Sequence, residues 1–337
     1  MRSVRLGFVL LLSACNAGPS MGRAPDAATP VDAGGAGPGL DAASSVDGGD
    51  GVCADVTVEL RRVTPTVMFL VDQSLSMENE LGATTRWDAV RDALFGTSGV
   101  VTELDGLMRF GLALYSDLAG DATCPMIEQA EPVMGDAPGL ASLYDGAAPL
   151  GETPTGESID LVAATLPDGG ADPVLLVLAT DGNPDRCAAP DGHDDTSRRL
   201  SVQAVERARA RGITTHVIAV GVGTVAASHL AELARAGTGR PDARYWEAGD
   251  PAALTAALRE AVRGELSCVF ELRGRVDPTQ ACSGTVSLDG SPLACDGGDG
   301  FRLPDESHIE LTGSACDALL EGGGALDASF PCDALLI

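Results

Sequence analysis

The sequence predicts an α/β protein built on a doubly wound, mostly parallel sheet, followed by a small β-rich module at the C-terminal end. Three observations predict it. Unbroken apolar runs such as Val67–Val71 and Val174–Ala179 read as strands buried on both faces. Stretches with apolar residues at helical spacing alternate with these runs, as βαβ units with right-handed crossovers require. From residue 269 onward the helical period stops and short segments broken by turn residues take over. With 337 residues and 45% hydrophobic content the chain has enough apolar material for a packed core.

The elements follow in order. Residues 1–14 begin with Arg2 and Arg5 and continue Leu6-Gly7-Phe8-Val9-Leu10-Leu11-Leu12, an apolar stretch too short to span a bilayer as a helix. This reads as a secretory signal. Residues 15–52 are almost all Gly, Ala, Pro, Asp and Ser without apolar periodicity, so they read as an acidic tether. Its reach is of order 30–35 Å by flexible-chain scaling. Residues 53–268 carry the alternating pattern, with a core at about 64–266.

Within that region Val67–Val71 is the first strand, and Trp87–Phe95 places Trp87, Val90 and Leu94 on one helical face before Gly96. Phe110–Tyr115 is a strand, Ser158–Leu166 a helix, and Val174–Ala179 a second buried strand. Ser197–Arg211 is an amphipathic helix closed by Gly212, and Thr215–Val220 is a strand that contains His216. His229–Ala236 and Pro251–Val262 are helices, with Arg244-Tyr245-Trp246 a short edge strand between them.

In an open sheet of this kind, ligands bind outside the carboxyl ends of the strands where strand order reverses. The first buried strand runs into Asp72-Gln73-Ser74-Leu75-Ser76, the central one into Thr180-Asp181-Gly182, and Glu152-Thr153-Pro154-Thr155-Gly156-Glu157 stands just before a helix. Asp72 and Asp181 are expected in surface loops. The three segments resemble the metal-ion-dependent adhesion site (MIDAS) of von Willebrand factor type A (VWA) domains, a Rossmann-like fold, over roughly residues 64–266. The resemblance implies Asp72, Ser74, Ser76, Thr153 and Asp181 as ligands of one divalent cation, Mg²⁺ first, with Mn²⁺ or Ca²⁺ as alternatives. It also implies that Asp181 can act through a bound water. Thr155 competes with Thr153 for the ligand role or else caps the following helix.

The donor chemistry agrees, because carboxylates and hydroxyls are hard oxygen donors and no His or Cys lies within the motif. Two carboxylates and three neutral hydroxyls leave coordination incomplete, so water or an acidic group of a partner must finish it. The Asp191-Gly192-His193-Asp194-Asp195 loop is either a second cation site or an acidic solvated loop.

Leu12-Ser13-Ala14-Cys15 resembles the bacterial lipobox, which implies Cys15 as a lipidated mature N-terminus. The resemblance implies export and lipid anchoring in the bacterial envelope, with the outer membrane expected. Membrane contact is then through the lipid alone.

The net charge of −27, with 22 Arg and no Lys, opposes nucleic acid and anionic headgroups alike. Asp72–Met77 lacks the Gly-rich turn of a dinucleotide site. Catalysis is not expected: His193, His216, His229 and His308 form no HExxH, and Ser158 in Gly156-Glu157-Ser158-Ile159-Asp160 lacks the second Gly of a nucleophile elbow. The expected role is binding an acidic Asp or Glu on a partner protein. The alternatives are an envelope scaffold with a non-essential metal and an unrecognised hydrolase.

Nine cysteines minus a lipidated Cys15 leave eight. Placement suggests Cys53 with Cys268 to close the α/β domain and Cys124 with Cys187 at the metal-bearing edge. In residues 269–337, Cys282 with Cys295 would tie a hairpin turning at Asp289-Gly290, and Cys316 with Cys332 a second unit. So small a module needs such staples.

Overall fold

The computed structural model of the chain describes residues 56–57, 60–118, 123–170, 172–190, 192–221, 227–264, 267–322 and 324–336. The signal, Cys15, the tether, Cys53 and Asp191 lie outside them. Residues 52–337 group as one compact unit.

In chain order, β1 (Val56–Thr57) and β2 (Leu60–Arg62) precede β3 (Thr66–Asp72), and a two-stranded hairpin of β4 (Glu80–Leu81) and β5 (Thr84–Thr85) leads into α1 (Arg86–Phe95) and α2 (Val100–Leu104). Then come β6 (Arg109–Ser116), β7 (Met126–Val133), α3 (Ala137–Gly146), α4 (Thr155–Thr165) and β8 (Val174–Thr180). The α/β region ends with α5 (Asp195–Ala210), β9 (Ile213–Val220), α6 (Ala227–Thr238), β10 (Trp246–Ala248) and α7 (Pro251–Arg263). Beyond it lie β11 (Val269–Leu272), β12 (Thr285–Leu288), β13 (Ser291–Pro292), β14 (Gly300–Asp305), β15 (His308–Thr312), α8 (Ser314–Gly322) and β16 (Leu326–Phe330).

The main sheet has the order β10-β9-β8-β3-β6-β7. Every pairing is parallel except β6 with β7. The chain leaves central β3 for β6 on one side and returns to β8 on the other, so the carboxyl ends of β3 and β8 form the switch point. All seven residues of β3 and of β8 are buried, which is why both read as continuous apolar runs. Two core clusters cover the faces. One packs Phe69, Phe110, Leu94 and Leu258, and the other packs Met68, Leu178, Ile159 and Leu230.

The structure differs from the sequence reading in several elements, among them the short helices α2 and α3 and the β4–β5 hairpin, which have no counterpart in it. The antiparallel edge strand β7 has no counterpart in it either; Pro132 sits where the β6–β7 register shifts, opposite Gly111, and a missing N–H is tolerated at such a bulge. The short edge strand is shifted to Trp246–Ala248. The C-terminal segment also contains a helix, α8, packed against β14 and β15. The C-terminal strands form two four-stranded sheets, β1-β16-β12-β13 and β14-β15-β11-β2, around a core of Phe270, Val276, Phe301, Ile309 and Phe330; β1 and β2, expected within the 53–268 domain, instead pair with β16 and β11 and complete these sheets. Asp289 and Gly290 both take positive φ in the β12–β13 turn, as a two-residue hairpin demands.

Cys124 is joined to Cys187 and Cys282 to Cys295, as placement suggested. The other two expected pairings are corrected, because Cys268 is joined to Cys316. Cys268 accepts the Leu311 N–H at 2.9 Å on its carbonyl, and α8 carries Cys316 over the same strands, so this bridge fastens the helix to its sheet. That excludes Cys53 with Cys268 and Cys316 with Cys332.

Candidate metal centre

The β3 backbone ends at Asp72, and the chain then turns away from the sheet. Gln73 stays tied to the neighbouring strand by its N–H to Tyr115 O at 2.9 Å, and its side chain donates to Ala148 O at 2.8 Å. Ser74 N–H donates to Asp72 Oδ1 at 2.9 Å, an Asx-type turn that fixes the loop. Ser74 and Ser76 hydroxyls stand 2.9 Å apart, and Ser76 Oγ donates to Asp181 Oδ1 at 2.7 Å. Residues 105 positions apart in sequence thus meet through one hydroxyl.

Thr153 is buried and held by a double link: its N–H donates to Asp185 Oδ2 at 3.3 Å, and its carbonyl accepts the Asp185 N–H at 2.8 Å. Ser74, Ser76, Thr153 and Asp181 line one cavity of about 220 Å³, with Leu75 and His193 at its walls. Four of the five residues named from the sequence thus line this cavity, while Asp72 is not part of its lining and joins them through the Ser74 N–H. Asp72 and Asp181 do not sit in exposed loops as expected: both are buried, Asp72 completely. Asp72 closes a strand that is covered on both faces, and Asp181 follows another directly.

Burial first, and then the neighbouring Asp181 carboxylate, push the Asp72 carboxyl up to about 7, against hydrogen bonds from Ser74 and Thr180 that pull the other way. Thr180 Oγ1 donates to Asp72 Oδ2 at 2.7 Å. Arg86, the first residue of α1, donates to Asp181 Oδ2 and forms an ion pair with it. The donor set is entirely hard oxygen, and of its two carboxylates only Asp181 is paired with an arginine, so the residues present fit a divalent cation.

Sequence reasoning missed Thr180, Asp185 and Arg86. Thr180 and Asp185 gave no signal beyond ordinary strand-end and turn residues. Arg86 did give one, because a cation at a helix N-terminus opposes the helix dipole and calls for a reason. Thr155 is not a helix cap; its hydroxyl lies 3.3 Å from Tyr115 OH. Ser158 is buried in α4 with Oγ donating to Pro154 O at 2.7 Å, a local helical contact. In the acidic loop, Asp194 caps α5 through the Thr196 and Ser197 N–H groups and is held down to about 2, first by Arg186. His193 Nδ1 lies 2.9 Å from Asp185 Oδ1. A larger cavity of about 600 Å³ opens at the other end of the sheet by Thr66, Arg109 and Asp172. There Asp172 already accepts the Thr64 N–H and faces Arg109, so the carboxyl edge remains the site supported by chemistry.

Comparison with protein-family models and with curated protein sequences gives no match. Among solved structures, the pilus adhesin SpaC from Lactobacillus rhamnosus GG superposes with a TM-score of 0.50 at 15% identity over 80% of this chain. The fold is VWA-like. The chain spans 39% of the length of that adhesin. The PilB minor pilin from Streptococcus sanguinis has a TM-score of 0.47 at 16% identity, covering 61% of this chain and 63% of the pilin. Proximal thread matrix protein 1 from the mussel byssus, with a zinc-occupied MIDAS motif, has 0.41 at 16% identity, covering 64% of this chain and 51% of that one. Identities this low establish likeness of fold and nothing further. No helix among the described residues is long and apolar enough to cross a membrane.

Proposed function

We propose that this chain is an envelope adhesion-type protein that binds one divalent cation and presents it to a carboxylate of a partner protein. The observation that carries the reading is the convergence of Ser74, Ser76, Thr153 and Asp181, from three separated segments, on one cavity at the switch point of the sheet, with buried Asp72 bonded to the Ser74 N–H behind them. Mg²⁺ is the expected ion, with Mn²⁺ or Ca²⁺ as substitutes, since the donors are all oxygen. When bound, the ion supplies positive charge to which an incoming Asp or Glu can attach.

Asp72 and Asp181 would hold the ion's charge, the hydroxyls of Ser74, Ser76 and Thr153 would complete the protein's share of donors, and Asp181 can also serve through a water. Leu75, more than half exposed beside the two serines, offers the partner an apolar contact next to the ion. The reading is one of binding, with no catalytic residue assigned. Cys15 is proposed to carry the lipid that anchors the protein in the bacterial envelope, at the outer membrane, with the acidic tether holding the folded part away from the surface.

The test is capture of partners from envelope extracts by the immobilised chain with Mg²⁺ and with EDTA. Partners that are retained only with Mg²⁺, and that weaken with Leu75→Ala while Mg²⁺ binding persists, are expected. A partner held equally well in EDTA contradicts the cation-mediated mode.

A further inference from the structure

The cation site already contains a positive charge. The Arg86 guanidinium donates from one terminal nitrogen to Asp181 Oδ2 and, at 3.4 Å, to the carbonyl of Ser76. Its side chain is largely covered, while the Asp181 side chain is about 1% exposed, so this ion pair is shielded from solvent screening. The arrangement carries three local costs. Arg86 stands at the N-terminus of α1, against the helix dipole. Its Nε is buried and has no hydrogen-bond partner among the described residues. The backbone at Gly221 opens to φ +109°, where a Cβ would lie 3.1 Å from both Nε and Nη2. A strong helix position, a buried donor and a glycine are all given over to bringing one guanidinium to one carboxylate.

We propose that Arg86 is a built-in competitor for the divalent cation, neutralising Asp181 when the ion is absent and lowering the site's affinity by having to yield or share that carboxylate. This rests on the reading of the site as a cation site. The physical reason is that a guanidinium and a divalent ion drawn to the same carboxylate repel each other, and at short range beside a carboxylate that is almost wholly buried that repulsion is large. Without Arg86 the two carboxylates face no internal cation, so the cation-free protein is strained by their mutual repulsion and the ion gains more on binding. Arg86 thereby adjusts the site to respond to the ion instead of holding it permanently.

The experiment is calorimetric titration of Mg²⁺ into the full chain, comparing the wild type with Arg86→Gln and Arg86→Lys, together with melting curves in Mg²⁺ and in EDTA. Arg86→Gln is expected to bind Mg²⁺ roughly tenfold more tightly, to melt lower than wild type in EDTA, and to show a wider gap between its two melting temperatures. Arg86→Lys, which keeps the charge but loses the planar fork, is expected between the two. A folded Arg86→Gln with unchanged or weaker affinity overturns the role of Arg86 while leaving the cation site standing. Absence of Mg²⁺ binding by wild type and variant alike overturns the cation site itself. Should Arg86→Gln not fold, the wild-type Arg86 Nε–H signal, assigned with Arg86→Lys, decides: it is expected to lose its protection from solvent exchange at saturating Mg²⁺, and an unchanged signal overturns the proposal.

Discussion

At the scale of single residues, what a side chain touches decides what its substitution does. His229 on α6 is almost fully buried, and neither ring nitrogen has a hydrogen-bond partner among the described residues. Burial, and then Arg198, hold its imidazole down to about 4, against 6.5 for the free group. The unfolded chain therefore takes up the proton first. The stability tied to a neutral His229 is complete above about 6.5 and drains away as pH falls toward 4, a loss of a few kcal/mol by linkage. His229→Leu satisfies the same space without a titrating group, so denaturant unfolding at pH 7 is expected to give equal or higher stability and a flatter fall toward about pH 4.5. An acid limb as steep as the wild type's would show that other groups control it. The site residues illustrate what was legible at this scale. Asp72, Ser74 and Ser76 were readable because they are contiguous, and Thr153 and Asp181 because each stands at the end of a patterned element. Asp185 and Thr180 were not, since their roles exist only once distant segments are side by side.

At the scale of elements, the site depends on how two strand ends, of β3 and β8, and the loop before α4 are held together. The Cys124–Cys187 bridge spans 63 residues and ties the segment before β7 to the loop that carries Asp181 and Asp185. Cys187 N–H also donates to Glu157 Oε1 at 3.0 Å on the first turn of α4, just after Thr153. Replacing both cysteines by serine is expected to cost about 2–5 kcal/mol of stability and to weaken Mg²⁺ binding, because the loop that carries Asp181 and holds Thr153 through Asp185 loses its fastening to the segment before β7. Denaturant unfolding and Mg²⁺ titration of the double variant check both halves; full Mg²⁺ affinity would show that the backbone links between Thr153 and Asp185 suffice. Elements with a strong period were legible: β3, β8, α5 and α7 fall where their apolar patterns put them. The edge strand β7 was not, because half-exposed polar residues and a proline carry no clear alternation. Helix α8 was hidden by the glycines around it, Gly313 before and Gly322 to Gly324 at its end, which made the segment read as turn-broken, and the Cys268–Cys316 bridge depends on that helix lying over β14 and β15.

At the scale of the whole molecule, an acidic chain of net charge −27 is proposed to recognise an acidic group, which long-range electrostatics oppose. Only a cation fixed at the edge of the sheet reverses the sign locally, so the account stands on that ion. Mg²⁺ titration of wild type against Asp72→Asn, with melting curves in EDTA, tests this most directly. The substituted amide keeps the oxygen that accepts the Ser74 N–H and removes a charge that burial disfavours. The expected outcome is saturable one-site Mg²⁺ binding by the wild type, loss of that binding in a folded Asp72→Asn, and a melting temperature of the variant in EDTA no lower than that of the wild type. Equal Mg²⁺ binding by the two proteins, or none by the wild type, would contradict it.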